Sequence, residues 1–154
     1  MTPVFDPDEF WAFSVHQYGK KAVAKCCLAL QDDYGVDINL LLLCQWLDSQ
    51  ELALAEGALC DLVRIADHWQ KNRLAPLRAR RAGLKKPSAP YQAALSKELS
   101  EERKEQQALI ACINRPLSFA STQPFPSAAN LTAYAGKGRF PLGGIEALTL
   151  PQRG

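Results

Sequence analysis

Apolar residues recur every three or four positions along most of the chain, the spacing of one face of a helix. Asp6 opens the first such run as N-cap, with Pro7 at the first helical position and Glu9 three residues after the cap, a capping-box arrangement. Trp11, Ser14, Val15 and Tyr18 then share a face, Phe10 and Phe13 lie beside it, and Gly19 is placed to stop the helix. A second helix is predicted from Lys20 to Tyr34, apolar along Val23, Cys26, Cys27, Leu30 and Tyr34, with Gly35 as its C-cap. Asp37 caps a third, Ile38 to Leu47, which is apolar almost all round and therefore belongs at the centre of a bundle.

Asp48 and Glu51 repeat the capping-box spacing and predict a long fourth helix, striped by Leu52, Ala55, Leu59, Leu62, Val63, Ala66 and Trp69. Pro76 ends or kinks it, because proline lacks the backbone donor and crowds the preceding turn. A short basic helix, Leu77 to Leu84, and a turn at residues 86–90 lead to a fifth main helix, Tyr91 to Asn114. The apolar marks of that helix (Leu95, Leu99, Leu109, Ile110, Ile113) are interrupted, which predicts packing at the edge. No alternating strand pattern is present. The expected fold is all-α: a bundle of about five main helices over residues 1–114, with helix three central and a Pro-kinked basic segment. Residues 115–154 read as an irregular Pro/Gly-rich tail, partly disordered, with one short helix at Ser127–Tyr134 docking through Leu131 and Tyr134.

Composition changes this picture little. The 154 residues are 47% apolar and 22% charged, ordinary for a globular domain. The N-terminus lacks the basic stretch and apolar core of an export signal, and the longest apolar run, Leu40–Cys44, is far short of the ~20 residues that span a bilayer. A cytoplasmic protein without a membrane segment is expected. Cys26, Cys27, Cys44, Cys60 and Cys112 form no Cys-x-x-Cys pair and read as small buried residues in a reducing compartment.

Charge changes it more. Residues 1–67 carry 11 acids and 4 bases, whereas residues 68–97 carry no acid and 8 bases: Lys71, Arg73, Arg78, Arg80, Arg81, Lys85, Lys86 and Lys97. Arg78, Arg81 and Lys85 fall on one helical face, where like charges repel by roughly 0.2–0.5 kcal/mol per pair. The offset comes either from the acidic half of the chain (Asp32, Asp33, Asp61 or Asp67) and solvent, or from an external anion. Between Arg78 and Lys86 stand three arginines and two lysines, which favours bidentate contacts to carboxylate or phosphate. The candidate anion-binding residues are therefore Arg78, Arg81 and Lys85, with Lys71 and Arg73.

Other chemistry is weaker. Asp32, Asp33 and Asp37 look like part of a helical Mg-diphosphate site, but such sites need a second acidic cluster and a larger fold; Asp37 as an N-cap and two surface aspartates account for them. His16 and His68 lack a nucleophile motif nearby, and Gly136-Lys137-Gly138-Arg139 is too short for a phosphate loop. Neither a metal nor a cofactor is expected. Trp11, Trp46 and Trp69 fall on apolar stripes and read as core.

Three elements carry a resemblance. They are Phe10-Trp11-x-Phe13-Ser14 with Tyr18; Cys27-Leu28-x-Leu30-Gln31-Asp32 followed by Gly35-Val36-Asp37-Ile38-Asn39 with Leu41 and Trp46; and Trp69 followed by Pro76-Leu77-Arg78-x-x-Arg81-x-x-Leu84-Lys85. Over residues 8–114 the chain resembles a family of small proteobacterial proteins catalogued only as a domain of unknown function. The resemblance implies a bacterial cytoplasmic protein and no catalytic residues. Gln31, Asp32, Asp37 and Asn39 form a polar turn expected either to orient the basic segment, if Asp32 or Asp37 contacts Arg78 or Arg81, or to leave its cations free for a ligand. The expected function is a non-enzymatic interaction or adaptor protein whose basic segment meets an anionic partner, RNA or an RNA-containing assembly first and an acidic protein surface second. The alternatives are a small helical enzyme handling a phosphorylated or diphosphate substrate, and a protein-binding or self-associating module.

Overall fold

A computed structural model describes residues 3–121 and 124–141. The chain forms α1 (Pro7–Tyr18), α2 (Lys21–Tyr34), α3 (Ile38–Ser49), α4 (Glu56–Trp69), a π-helical turn (Gln70–Leu74), α5 (Ala75–Ala82), α6 (Ala89–Ile113) and α7 (Ala129–Gly138). This is the all-α bundle expected, with α1, α2, α3, α4 and α6 as its main helices. Among the described residues no helix is long and apolar enough to cross a membrane.

Helix α3 is the centre. Leu40, Leu41, Leu43, Cys44 and Leu47 are fully buried, as its all-round apolar sequence demands. Asp37 caps it, accepting from the Leu40 N–H at 2.8 Å. Gly35 closes α2 at φ +67°, a left-handed conformation that glycine adopts without strain, while its N–H bonds the Gln31 carbonyl. Trp46 extends the core outward by stacking on Phe10, ring centroids 5.3 Å apart.

Four expectations change. Asp48 does not cap α4. It lies in the last turn of α3, buried, and accepts the N–H groups of Asn130 at 2.8 Å and Leu131 at 3.2 Å. Its carboxylate therefore serves the first turn of α7 from a distance, and burial raises its pKa to about 6. Helix α4 starts later, at Glu56, after a two-residue strand β1 (Ala53–Leu54) that pairs antiparallel with β2 (Phe119–Ala120), too short to show an alternating pattern. The stripe expected on α1 splits. Phe10, Ser14 and Gln17 face the core, while Val15 is 57% exposed and Tyr18 37%. Helix α6 is not an edge helix: it packs on α1, α3, α4, α5 and the π turn. Its mid-section buries polar groups in place of apolar ones, with Glu98, Glu101, Glu105 and Gln106 turned inward.

Helix α7 begins two residues later than the short helix expected at 127–134 and runs to Gly138; it docks through Leu131 and Tyr134, joined by Ala135 and Phe140 in the core. The Tyr134 hydroxyl accepts the Asp37 N–H at 3.1 Å, tying this helix to the polar turn. The rest of the sequence-defined tail, residues 142–154, lies outside the described residues.

Candidate functional site

The basic stretch folds back on the acidic side of α6. Pro76 stands in the first turn of α5, directly after the π turn, which joins α4 to α5 without a break in helical backbone. Arg78 and Arg81, three apart, share the face of α5 turned to α6. On α6, Glu98, Glu101, Glu102 and Glu105 recur at helical spacing, and Glu98 and Glu102 meet these two arginines. Arg81 Nε donates to Glu98, and Arg81 Nη1 to the Tyr91 hydroxyl at 3.3 Å. Arg78 Nη2 reaches Glu102 at 3.3 Å, and Arg73 reaches Glu101 at 3.3 Å. Hydrogen bonding to Glu98 raises the Arg81 pKa further. Burial raises that of Glu102, and the Arg78 charge pulls it part of the way back.

The polar turn reaches this network through a carboxamide. Gln70 Nε2 donates to Asp37 Oδ2 at 2.8 Å, and Gln70 Oε1 accepts from Arg78 at 2.6 Å. Asp37 thus touches the basic segment only by way of Gln70. Asp32 and Asp33 are exposed and make no ion pair among the described residues. The offsetting acids come from α6, a source outside those the charge pattern suggested. Asn39 carries the turn inward: its Nδ2 donates to Glu105 Oε1 at 2.7 Å, and its Oδ1 accepts from Gln106 Nε2 at 2.8 Å. Gln106 Nε2 also donates to Ser14 Oγ at 2.9 Å. Burial, then the neighbouring Asp37 carboxylate, pushes the Glu105 carboxyl far above the usual range. Glu105 Oε2 is buried and has no hydrogen-bond partner among the described residues.

Beside this network a groove of about 450 Å³ opens between α1, the α2–α3 turn, α5 and α6. Trp11, Val15, Tyr18, Leu28 and Leu99 give it an apolar side; Gln31, Asn39, Gln70 and Gln106, with the Arg78–Glu102 and Arg81–Glu98 pairs, give it a polar one. Trp11 therefore lines a groove, its ring 5.1 Å from the Arg103 guanidinium, whereas Trp46 is core as expected and Trp69 donates to the Glu101 carbonyl at 3.1 Å.

The candidate cations divide. Arg73, Arg78 and Arg81 are paired with α6. Lys85 does not share their face, because α5 ends at Ala82 and Gly83. Lys71, Arg80, Lys85, Lys86 and Lys97 are exposed and make no ion pair among the described residues. Arg80 and Lys97 line a second, smaller notch of about 260 Å³ with Leu77, Leu84, Ala93 and Ala94. The sequence reading missed Glu98, Glu102, Glu105, Gln70 and Gln106, although the acids recur three and four apart, as a buried stripe does. Among the described residues no group of three or more His, Cys, Asp or Glu could hold a metal ion. No curated protein and no solved structure matches the chain. Residues 9–109 match the family model described as Protein of unknown function (DUF2390), and the chain belongs to that family.

Proposed function

We propose that the protein is a non-catalytic binding module whose α5–α6 hairpin meets an anionic partner, single-stranded RNA before an acidic protein surface. One observation carries the reading. The acids that neutralise Arg73, Arg78 and Arg81 are Glu98, Glu101 and Glu102, of which Glu98 and Glu101 are buried, so the solvent side of the hairpin keeps Lys71, Arg80, Lys85, Lys86 and Lys97 exposed and without an ion pair among the described residues. Clustered exposed cations are the electrostatic footprint of a polyanion surface. The paired arginines hold the segment in place and the unpaired cations act. The cytoplasm suits this role and suits five cysteines that form no disulfide. The diphosphate-enzyme alternative is not favoured, because Asp32 and Asp33 do not line the groove that holds Arg78 and Arg81.

The test is the salt dependence of binding to a short mixed-sequence RNA. Each phosphate neutralised on a single strand contributes about −0.7 to the slope of log K against log salt. Five cations predict a slope near −3.5, so a fourfold rise in salt weakens binding roughly 100-fold. The combined change Arg80→Ala, Lys85→Ala, Lys86→Ala removes three cations and brings the slope to about −1.4. A slope that the triple variant leaves unaltered, or RNA that does not bind at low salt, defeats the reading.

A further inference from the structure

We propose that the groove between α1, α5 and α6 is a binding site for an uncharged small molecule with a flat, ring-sized apolar body and one hydrogen-bond donor, which meets the Gln106 side-chain oxygen. This goes beyond the polyanion surface and does not depend on it.

Four observations converge. The groove holds about 450 Å³, within the range of roughly 300–1,000 Å³ typical of small-molecule sites. Among the exposed large hydrophobic residues, Val15, Tyr18, Leu28 and Leu99 all line it, although they come from three different helices. Leaving four such side chains to water on one concave surface costs stability that a bound apolar body restores.

The third observation is charge. Every cation in the lining has its carboxylate: Arg78 has Glu102 and Arg81 has Glu98. A charged ligand would have to break one of these pairs to be recognised, whereas a neutral one leaves both intact. The fourth is a buried acceptor. Among the described residues, two buried side-chain atoms lack a hydrogen-bond partner, Glu105 Oε2 and Gln106 Oε1. The first belongs to Glu105, which does not line the groove. The second belongs to a residue that lines the groove, and its amide cannot turn away, because Nε2 is held by Ser14 Oγ and Asn39 Oδ1. A buried carbonyl oxygen fixed in place without a donor is a specificity element: a ligand N–H or O–H satisfies it, and a ligand without one leaves it unpaired.

The experiment uses the full chain and two probes of one shape, indole and 1-methylindole, titrated while amide and side-chain shifts are followed by NMR. Indole is expected to saturate, with shifts at Trp11, Val15, Leu99 and the Gln106 side chain. 1-Methylindole, whose donor is blocked, is expected to bind roughly tenfold more weakly. Leu99→Arg places a cation in the groove at an exposed position where the fold tolerates it, and should abolish indole binding. Gln106→Leu should erase the difference between the probes; if that variant does not fold, the comparison on the unaltered protein still decides. Linear, unsaturable shifts with indole, equal affinities for the two probes, or indole binding that survives Leu99→Arg would each overturn the assignment.

Discussion

Replacing Glu105 by Gln should stabilise the protein at neutral pH. Glu105 is 0% exposed, accepts from Asn39 through Oε1 at 2.7 Å, and is pushed far up by burial and by Asp37. In the unfolded chain the same group titrates near 4.5, so it is ionised at neutral pH and folding must take up a proton. That uptake costs about 1.4 kcal/mol for each pH unit above the unfolded value, or about 3 kcal/mol at neutral pH. The folded pKa lies above the unfolded one, so this group's contribution is fully favourable below pH ~4.5 and is lost as pH rises toward the folded value. Glutamine keeps an oxygen for Asn39 and offers an N–H where the carboxyl would hold its proton, without binding one. Glu105→Gln should therefore match the unaltered protein at pH ~4.5 and exceed it by up to about 3 kcal/mol at neutral pH. Denaturant unfolding followed by circular dichroism at both pH values measures the difference. A variant less stable than the parent at neutral pH, or an offset that does not change with pH, would mean that Glu105 is ionised in the fold and that the reasoning is wrong.

Other substitutions separate the remaining roles. Arg81→Gln strips Glu98, 7% exposed, of its partner and should cost about 1–2 kcal/mol, whereas Arg80→Gln should be nearly neutral in stability and weaken polyanion binding; paired denaturation and RNA titrations distinguish them. Tyr134→Phe leaves the Asp37 N–H without an acceptor, and a loss of about 1–3 kcal/mol in unfolding free energy is expected. Asp48→Ala removes the acceptor of the first α7 amides; hydrogen exchange should quicken at Asn130 and Leu131 well before it does in α3.

The bundle was legible because its signals are local. Asp6, Asp37 and Gly35 cap the helices they were expected to cap, and an unbroken apolar run placed α3 at the centre. The site was less legible because its pairings are long-range. Asp48 and Glu51 have the spacing of a capping box, yet Asp48 serves a helix 82 residues away and Glu51 adopts φ +56°, so the pattern was right in form and wrong in partner. The stripe on α1 was read as core because periodicity reports that a face is apolar and does not report what covers it. Only the fold shows that Val15 and Tyr18 face a groove.

Charge has the same ambiguity, and here the fold resolves it by division. An acid-free segment in a sequence does not equal free positive charge in space, because acids far along the chain can be brought to it. Helix α6 does this by turning Glu98 and Glu101 inward, a placement that would be costly without cations opposite. Each arginine so engaged is a fastener: Arg78, through Gln70, also fixes Asp37 at the head of α3, and Asp37 in turn gives its N–H to Tyr134. The basic segment is thus wired to the centre of the bundle on one side and open to solvent on the other. A change in how Arg78 or Arg81 is held would be felt both in the groove they line and in the packing of α3, so the unpaired cations can vary independently while the paired ones cannot.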